Sequence, residues 1–347
     1  MESLCKPCRA WLGSMFEASV DIPRVGLGTW KAAPGEVGAA VKAAVRSGYR
    51  LIDCAAAYGN EAEVGEALRE MFEAGEVRRE DLFVVSKCFQ THHVWDGEDR
   101  PREAIEKTLA DLQLDRVDLY LMHWPFAFAQ KDLSAIGPFR DERGTPNPKL
   151  TIKQEYLDTW RSLARVKADG FAKNIGVSNF TEAQISDVIA LGLGTPAVNQ
   201  VELHPYLQQP ALTAFCRKHN ITMMAYSPLG SSDSYSGTSF PADVGCTLLS
   251  NPVVRQIADV HSVSPAQILI RWSVQSGFVC IPKSSKPERI AQNYDVLDWS
   301  LTDAEMDQLL ALDRNFRYGI GYQPGHYDCP NAPWYSPEKV VEASASL

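Results

Sequence analysis

Asp53, Tyr58, Lys87 and His123 are the residues whose types and placement could do chemistry together. Asp53 closes the apolar run that starts at Tyr49, and Tyr58 follows before a helical stretch. Lys87 ends Leu82-Phe83-Val84-Val85-Ser86, and His123 ends the run from Val117. A free phenol has a pKa of about 10 and is a poor acid near neutrality. A neighbouring ammonium favours the phenolate and would lower that value, and a carboxylate would keep the ammonium charged and aimed. An imidazole can hydrogen-bond a substrate oxygen. Such a set suits a carbonyl whose oxygen takes a proton as hydride reaches its carbon. Taken singly, each residue has a plainer role: Asp53 as a helix cap, Lys87 as a salt-bridge partner, His123 as a core histidine. Their shared position at neighbouring strand ends favours the joint role.

The elements that must position them alternate along the chain. Short, near-continuous apolar runs predict strands at 25–30, 51–52, 82–87, 117–123, 174–178, 197–203, 222–227 and 278–283. Helical spacing follows each one. After Pro34-Gly35, one face carries Val37, Ala40, Val41, Ala44 and Val45; after Asn60 it carries Val64, Ala67, Leu68, Met71 and Phe72. Further helices are predicted at 102–112, 152–168, 182–191, 210–219, 253–276 with a break near 262–265, 287–296 and 303–313. Eight strand–helix units with no strand-only region predict an α/β chain folded as a closed (β/α)8 TIM barrel. Continuous apolar strands are what a parallel sheet covered by helices needs. A doubly wound nucleotide-binding fold requires G-x-G-x-x-G after its first strand, and Gly26-x-Gly28-x-x-Lys31 lacks the third glycine.

Residues 1–20 show no sustained period and read as a tail. Residues 21–347 read as one barrel domain that includes a C-terminal substrate-loop tail over 314–347. The segments 125–150, 229–251 and the tail exceed ordinary loop length. The first two leave strand C-terminal ends, the face where barrels keep their active sites.

With 347 residues and 45% hydrophobic content the chain can bury a full core, and its net charge of −9 argues against nucleic acid or an anionic membrane as partner. No run approaches the length of a membrane helix. Scattered cysteines inside apolar runs (Cys54, Cys88, Cys280) read as reduced packing, which with no secretory apolar segment points to the cytoplasm, and a monomer is the default expectation. Cys5 and Cys8 form an isolated C-x-x-C without a second ligand pair, and His92 with His93 lacks a carboxylate framework, so no metal is expected.

On these motifs the sequence resembles the aldo-keto reductase family, aldose and aldehyde reductases in particular, from about Ile22 to Tyr335. Gly26-Leu27-Gly28-Thr29-Trp30 resembles the family's first strand. Asp53-x4-Tyr58-Gly59-Asn60-Glu61, Ser86-Lys87 and His123-Trp124-Pro125 match its signatures. The resemblance implies that Tyr58, Lys87, Asp53 and His123 form a catalytic tetrad with tyrosine as general acid, and that NADPH is the hydride source. It implies carboxamide contacts from Ser178, Asn179 and Gln200, and stacking of Tyr226 on the nicotinamide. Ser227, Leu229, Ser231 and Asp233 would line the pyrophosphate, with Thr29 and Trp30 beside the cofactor. Lys283, Ser284, Arg289 and Asn293 would hold the adenosine phosphate, favouring NADPH over NADH. The residues agree: two serines (Ser284, Ser285) and three cations (Lys283, Lys286, Arg289) surround the predicted start of helix eight. Trp30, Trp124 and aromatics of the tail would wall the pocket of a small carbonyl substrate. Gln292 stands where many relatives carry Glu, and Cys88-Phe89 replaces the usual Leu-Trp. Two rivals remain open at this level: a nicotinamide-binding regulatory barrel without turnover, and a Schiff-base aldolase using Lys87 as nucleophile.

Overall fold

The alternating apolar runs become eight parallel strands. They are β1 (Leu27–Gly28), β2 (Leu51–Asp53), β3 (Phe83–Cys88), β4 (Val117–Met122), β7 (Ala172–Ser178), β8 (Val198–Glu202), β9 (Thr222–Tyr226) and β10 (Val279–Cys280). The computed structural model describes residues 20–94, 99–128, 151–152, 156–231 and 244–318. The strands pair in the order β1-β2-β3-β4-β7-β8-β9-β10. A parallel bridge between Val25 and Cys280 joins the first strand to the last. Gly26 N–H donates to the Cys280 carbonyl at 2.8 Å, and Cys280 N–H donates to the Arg24 carbonyl at 2.8 Å. The sheet therefore closes into the expected (β/α)8 barrel. Its first and last strands are shorter than 25–30 and 278–283 predict. At the last strand, Pro282 has no N–H to continue the ladder and only accepts, from Gly28 at 3.0 Å.

The helices are α1 (Val37–Arg46), α2 (Glu61–Glu73), α3 (Arg100–Leu112), α4 (Tyr156–Ala168), α5 (Glu182–Ala190), α6 (Pro210–Lys218), α7 (Pro252–His261), α8 (Pro265–Gln275), α9 (Pro287–Tyr294) and α10 (Asp303–Leu310). The predicted break in 253–276 falls between α7 and α8. There Ser262 takes φ +56, and Ser264 caps α8 by accepting from Gln267 N–H ahead of Pro265. The helix predicted from 152 begins at Tyr156 instead. Thr151–Ile152 forms β6, antiparallel to β5 (Ala127–Phe128) in a small separate sheet. A partner strand about 23 to 25 residues upstream overrides the local helical pattern.

Two apolar layers result. Ile52, Val84, Tyr120 and Val177 face outward against helix residues such as Val41, Val64, Leu68, Ile105 and Trp160. Leu51, Val85, Leu119, Leu121, Val198, Met224, Val279 and Ile281 fill the barrel interior. Among the described residues no helix is long and apolar enough to cross a membrane, and the cysteines Cys54, Cys88, Cys216, Cys246 and Cys280 are free. All but Val20 of the expected tail at 1–20, with Cys5 and Cys8, together with Trp95, Asp233, most of the long loops and the tail beyond 318, lie outside the described residues.

Candidate active site

Side-chain alternation along a strand carries the interior pattern upward to the barrel mouth. Two residues beyond the interior Leu51, Val85, Leu121, Val198, Met224 and Ile281 stand Asp53, Lys87, His123, Gln200, Tyr226 and Lys283. The polar residues are thus the next inward-facing layer at the C-terminal ends, resting on an apolar floor. Asn179 and Ser227 follow β7 and β9 in the left-handed region, at φ +64 and +50, which turns the chain sharply at the rim.

Lys87 is the hub. Its side chain is 0% exposed and that of Asp53 3%. Nζ donates to Asp53 Oδ1 at 2.9 Å and Oδ2 at 2.8 Å, to the Cys54 carbonyl at 2.8 Å and to the Tyr58 hydroxyl oxygen at 3.2 Å. Asp53 is steadied further: Gln200 Nε2 donates to its Oδ1 at 2.8 Å, and Thr29 Oγ1 donates to its backbone carbonyl at 2.8 Å. Tyr58 ends a short 3-10 turn (Ala56–Tyr58) that Gly59 closes at φ +66. His123 meets Tyr58 edge to face, with ring centroids 6.1 Å apart, and stacks on the buried Trp124 at 6.5 Å. All four predicted tetrad residues therefore converge.

Their protonation differs in one respect from the sequence expectation. The Tyr58 phenol lies well above its ordinary range instead of below it. Burial is the main cause, and the charge of Asp53, then Cys54 and Glu61, adds to it. Tyr58 is thus fully protonated at neutrality. Burial, with the charge of Lys87 and then His93, holds His123 well below its usual range, so its imidazole is neutral.

The predicted cofactor residues line the same rim. Asn179 Nδ2 donates to the His123 carbonyl at 3.0 Å, and Tyr226 OH donates to Asn179 Oδ1 at 2.9 Å. Ser178 Oγ donates to the Gln200 carbonyl at 2.8 Å, and Ser227 Oγ lies 3.0 Å from Ser231 Oγ. Leu229 packs against the outer core. Lys283 reaches the Lys31 carbonyl at 3.0 Å, and Ser284 Oγ accepts from Lys286 N–H at 3.1 Å just before α9. Arg289 is exposed on the first turn of α9, and Asn293 is buried on its last. Lys286 and Arg289 have no ion-pair partner among the described residues. Trp30 is 43% exposed.

Three features of the site were not assigned from sequence. Gln200 is tied to Asp53 through its amide nitrogen. Glu61, three residues after Tyr58, is a buried carboxylate behind β3. Glu202 Oε1, at the end of β8, accepts from Tyr318 N–H at 2.6 Å and lies 3.0 Å from His204 Nε2. The Tyr318 hydroxyl accepts from Leu248 N–H at 3.0 Å. That cluster fastens the start of the C-terminal tail across the loop leaving β9. The only sequence signal for it is a pair of polar residues, Glu202 and His204, at a strand end.

The model of the aldo/keto reductase family matches residues 24–314. The chain is 49% identical over 303 residues to aldo-keto reductase family 1 member A1 of Rattus norvegicus, covering 86% of this chain and 88% of that protein. Its counterpart in Homo sapiens is 48% identical over 301 residues, with the same coverage of 86% and 88%. The aldose reductase structure from Schistosoma japonicum matches with a TM-score of 0.78 at 33% identity, covering 92% of this chain and 97% of that one.

Proposed function

We propose, from the premise that this chain belongs to the aldo/keto reductase family, that it is an NADPH-dependent reductase. Its substrates would be aldehydes, aldoses and uronic acids among them, or ketones, and its products alcohols. The observation that carries this reading is the bond from Lys87 Nζ to the Tyr58 oxygen. Because that oxygen accepts from the ammonium, its own O–H is free to donate to a substrate carbonyl. As the proton leaves, charge grows on an oxygen already facing a buried ammonium, so the Lys87 bond strengthens in the transition state. Asp53 holds the ammonium aimed from its far side. His123, neutral, orients the carbonyl oxygen by hydrogen bonding, and Trp30 and Trp124 wall the substrate. The raised phenol supports this assignment: the acid is loaded at neutral pH, and Lys87 acts on the developing phenolate.

NADPH supplies the hydride when bound. The donor set fits it: Lys283, Lys286 and Arg289 bring three cations to the start of α9, with Ser284 beside them, a chemistry suited to a phosphate. Those residues and Asn293 would hold the adenosine phosphate, and Ser227, Leu229 and Ser231 the pyrophosphate. The Tyr226 ring would face the nicotinamide, with Thr29 and Trp30 alongside. Ser178, Asn179 and the Gln200 carbonyl oxygen would take the carboxamide, the Gln200 amide nitrogen being committed to Asp53.

A Schiff-base aldolase needs Lys87 exposed and neutral, whereas its side chain is 0% exposed and bonded to a carboxylate. No feature of the site favours a regulatory barrel over turnover. The test is NADPH oxidation across a panel of aldehydes and ketones. Tyr58→Phe should abolish turnover while fluorescence still reports NADPH binding; a Tyr58→Phe protein that turns over at the wild-type rate would overturn the assignment.

A further inference from the structure

We propose that Glu61 is a positioning residue for the proton donor, acting on Lys87 and Tyr58 from the outer side of β3. This rests on the reading of Tyr58 as general acid. Glu61 opens α2 and is 4% exposed. Its Oε1 accepts from Ser86 Oγ at 2.5 Å and its Oε2 from Thr108 Oγ1 on α3 at 3.0 Å. Ser86 immediately precedes Lys87, and strand alternation sends the two side chains to opposite faces. The end of β3 is therefore gripped twice: from inside the barrel by Asp53 through Lys87, and from outside by Glu61 through Ser86. Two buried carboxyl groups thus hold opposite faces of one strand end.

The two grips differ in what they can do. Asp53 is bonded directly to the ammonium. Glu61 is held by neutral hydroxyls, and among the described residues no cation is bonded to it. Burial pushes its carboxyl up to about 7, against the Ser86 and Thr108 hydrogen bonds that favour ionisation. The Asp111 charge from α3 pushes the same way as burial, and Lys87 opposes it. Among the described residues, the other groups that feel its charge are Cys54 and Tyr58, which follow β2, and Tyr120 on β4. Of these, Tyr58 matters for chemistry, since the Glu61 charge helps to hold its proton. With Glu61 neutral, Tyr58 gives up its proton more readily; with Glu61 ionised, less so. Beneath the larger effects of burial and Asp53, the acid strength of Tyr58 is thus adjusted by a residue that never touches substrate.

The test is the pH profile of single-turnover aldehyde reduction with pre-bound NADPH, which keeps product release from masking proton transfer. Wild-type protein should lose roughly two- to threefold in rate as pH rises through neutrality, the size a partly screened unit charge produces through the acidity of Tyr58. Glu61→Gln should remove that inflection and keep the faster rate. In Ser86→Ala, which loses a bond favouring the ionised carboxyl, the inflection should move to higher pH. An infrared carboxylic-acid band titrating near neutrality should be present in wild type and absent from Glu61→Gln, whatever the turnover. A purely structural Glu61 would lower stability but leave the profile of the folded variant superimposable on wild type, and that result overturns the proposal. Should Glu61→Gln fail to fold, an unmoved inflection in Ser86→Ala overturns it equally. Tyr58→Phe separates the two readings: if it stays active, the general-acid assignment falls and this proposal with it. If it is dead while the Glu61→Gln profile matches wild type, only the role of Glu61 falls.

Discussion

Replacing Asp53 with Asn should cost this protein both stability and turnover, and the structure sets the size of each. The Lys87 and Asp53 side chains are 0% and 3% exposed, so no water can replace the lost charge. Asn keeps an oxygen that can accept from Gln200 Nε2, and the backbone carbonyl of residue 53 still accepts from Thr29, so the change isolates the carboxylate charge. Removing one partner of a buried pair costs about 3–5 kcal/mol, because the survivor is left charged and uncompensated. At roughly 2 °C per kcal/mol for a chain of this size, the melting temperature should fall by about 6–10 °C. Turnover should fall by at least about a hundredfold, because Lys87 is no longer aimed at Tyr58 and carries less of the charge that develops there.

Thermal unfolding with NADPH-oxidation assays would measure both, and a double variant separates them. Asp53→Leu with Lys87→Met replaces the pair with apolar side chains of similar size, and such replacements are often neutral or stabilising. Its melting temperature should return most of the way to wild type while turnover stays lost. If Asp53→Asn unfolds within a degree of wild type and keeps its rate, Lys87 does not depend on Asp53, and the account of the tetrad fails.

Three further outcomes can be checked. Between pH 4.5 and about 7 the folded protein binds an extra proton at Glu61, so stability from this group is full below pH 4.5 and is lost as pH rises through 7. The loss is about 3 kcal/mol, so denaturant unfolding at pH 5 and pH 8 should show Glu61→Gln gaining on wild type by that order, and parallel curves would refute it. Arg289→Ala should raise KM for NADPH by roughly 10- to 100-fold through loss of a charge-assisted bond, leaving KM for NADH unchanged; equal effects on both cofactors would remove Arg289 from the phosphate site. Gly65→Ala should destabilise by about 1–3 kcal/mol with NADPH binding retained, because its Cβ would lie 2.3 Å from the Asp111 carbonyl oxygen and 2.6 Å from the Leu112 carbonyl carbon, backbone atoms that cannot swing aside. A calorimetric scan would decide that case.

Much of the barrel and its tetrad was legible in the sequence because both follow from short-period patterns. Leu51 and Asp53, Val85 and Lys87, Leu121 and His123 are each two residues apart, and a period of two fixes which face a side chain takes once the strand is known. What was not legible depends on partners far along the chain. The Gln200 bond to Asp53 spans 147 residues, and nothing local to Gln200 announces it. Thr151–Ile152 reads as the start of a helix until its partner Ala127–Phe128 is known. The direction of the Tyr58 shift is hidden for a related reason: the lysine is visible in the sequence, whereas the burial that dominates the shift, with Asp53 and to a smaller degree Cys54 and Glu61 adding to it, acts only after folding.

Asp53 Oδ1 accepts from Lys87 and from Gln200 at once. The Lys87–Tyr58 side of the site and the Gln200 side therefore share one oxygen. A hydrogen bond accepted by the Gln200 carbonyl polarises its amide N–H, and bonds in a chain reinforce one another where the dielectric is low. A carboxamide donor seated on Gln200 would thus tighten the hold on Asp53. Because Oδ1 accepts both bonds, a stronger Gln200 bond would weaken its acceptance from Lys87 and leave more of the ammonium's charge for the oxygen of Tyr58 as its proton leaves. On the proposed function, the rim would prepare the acid most fully with the hydride-delivering cofactor in place, without requiring movement of the strands beneath it.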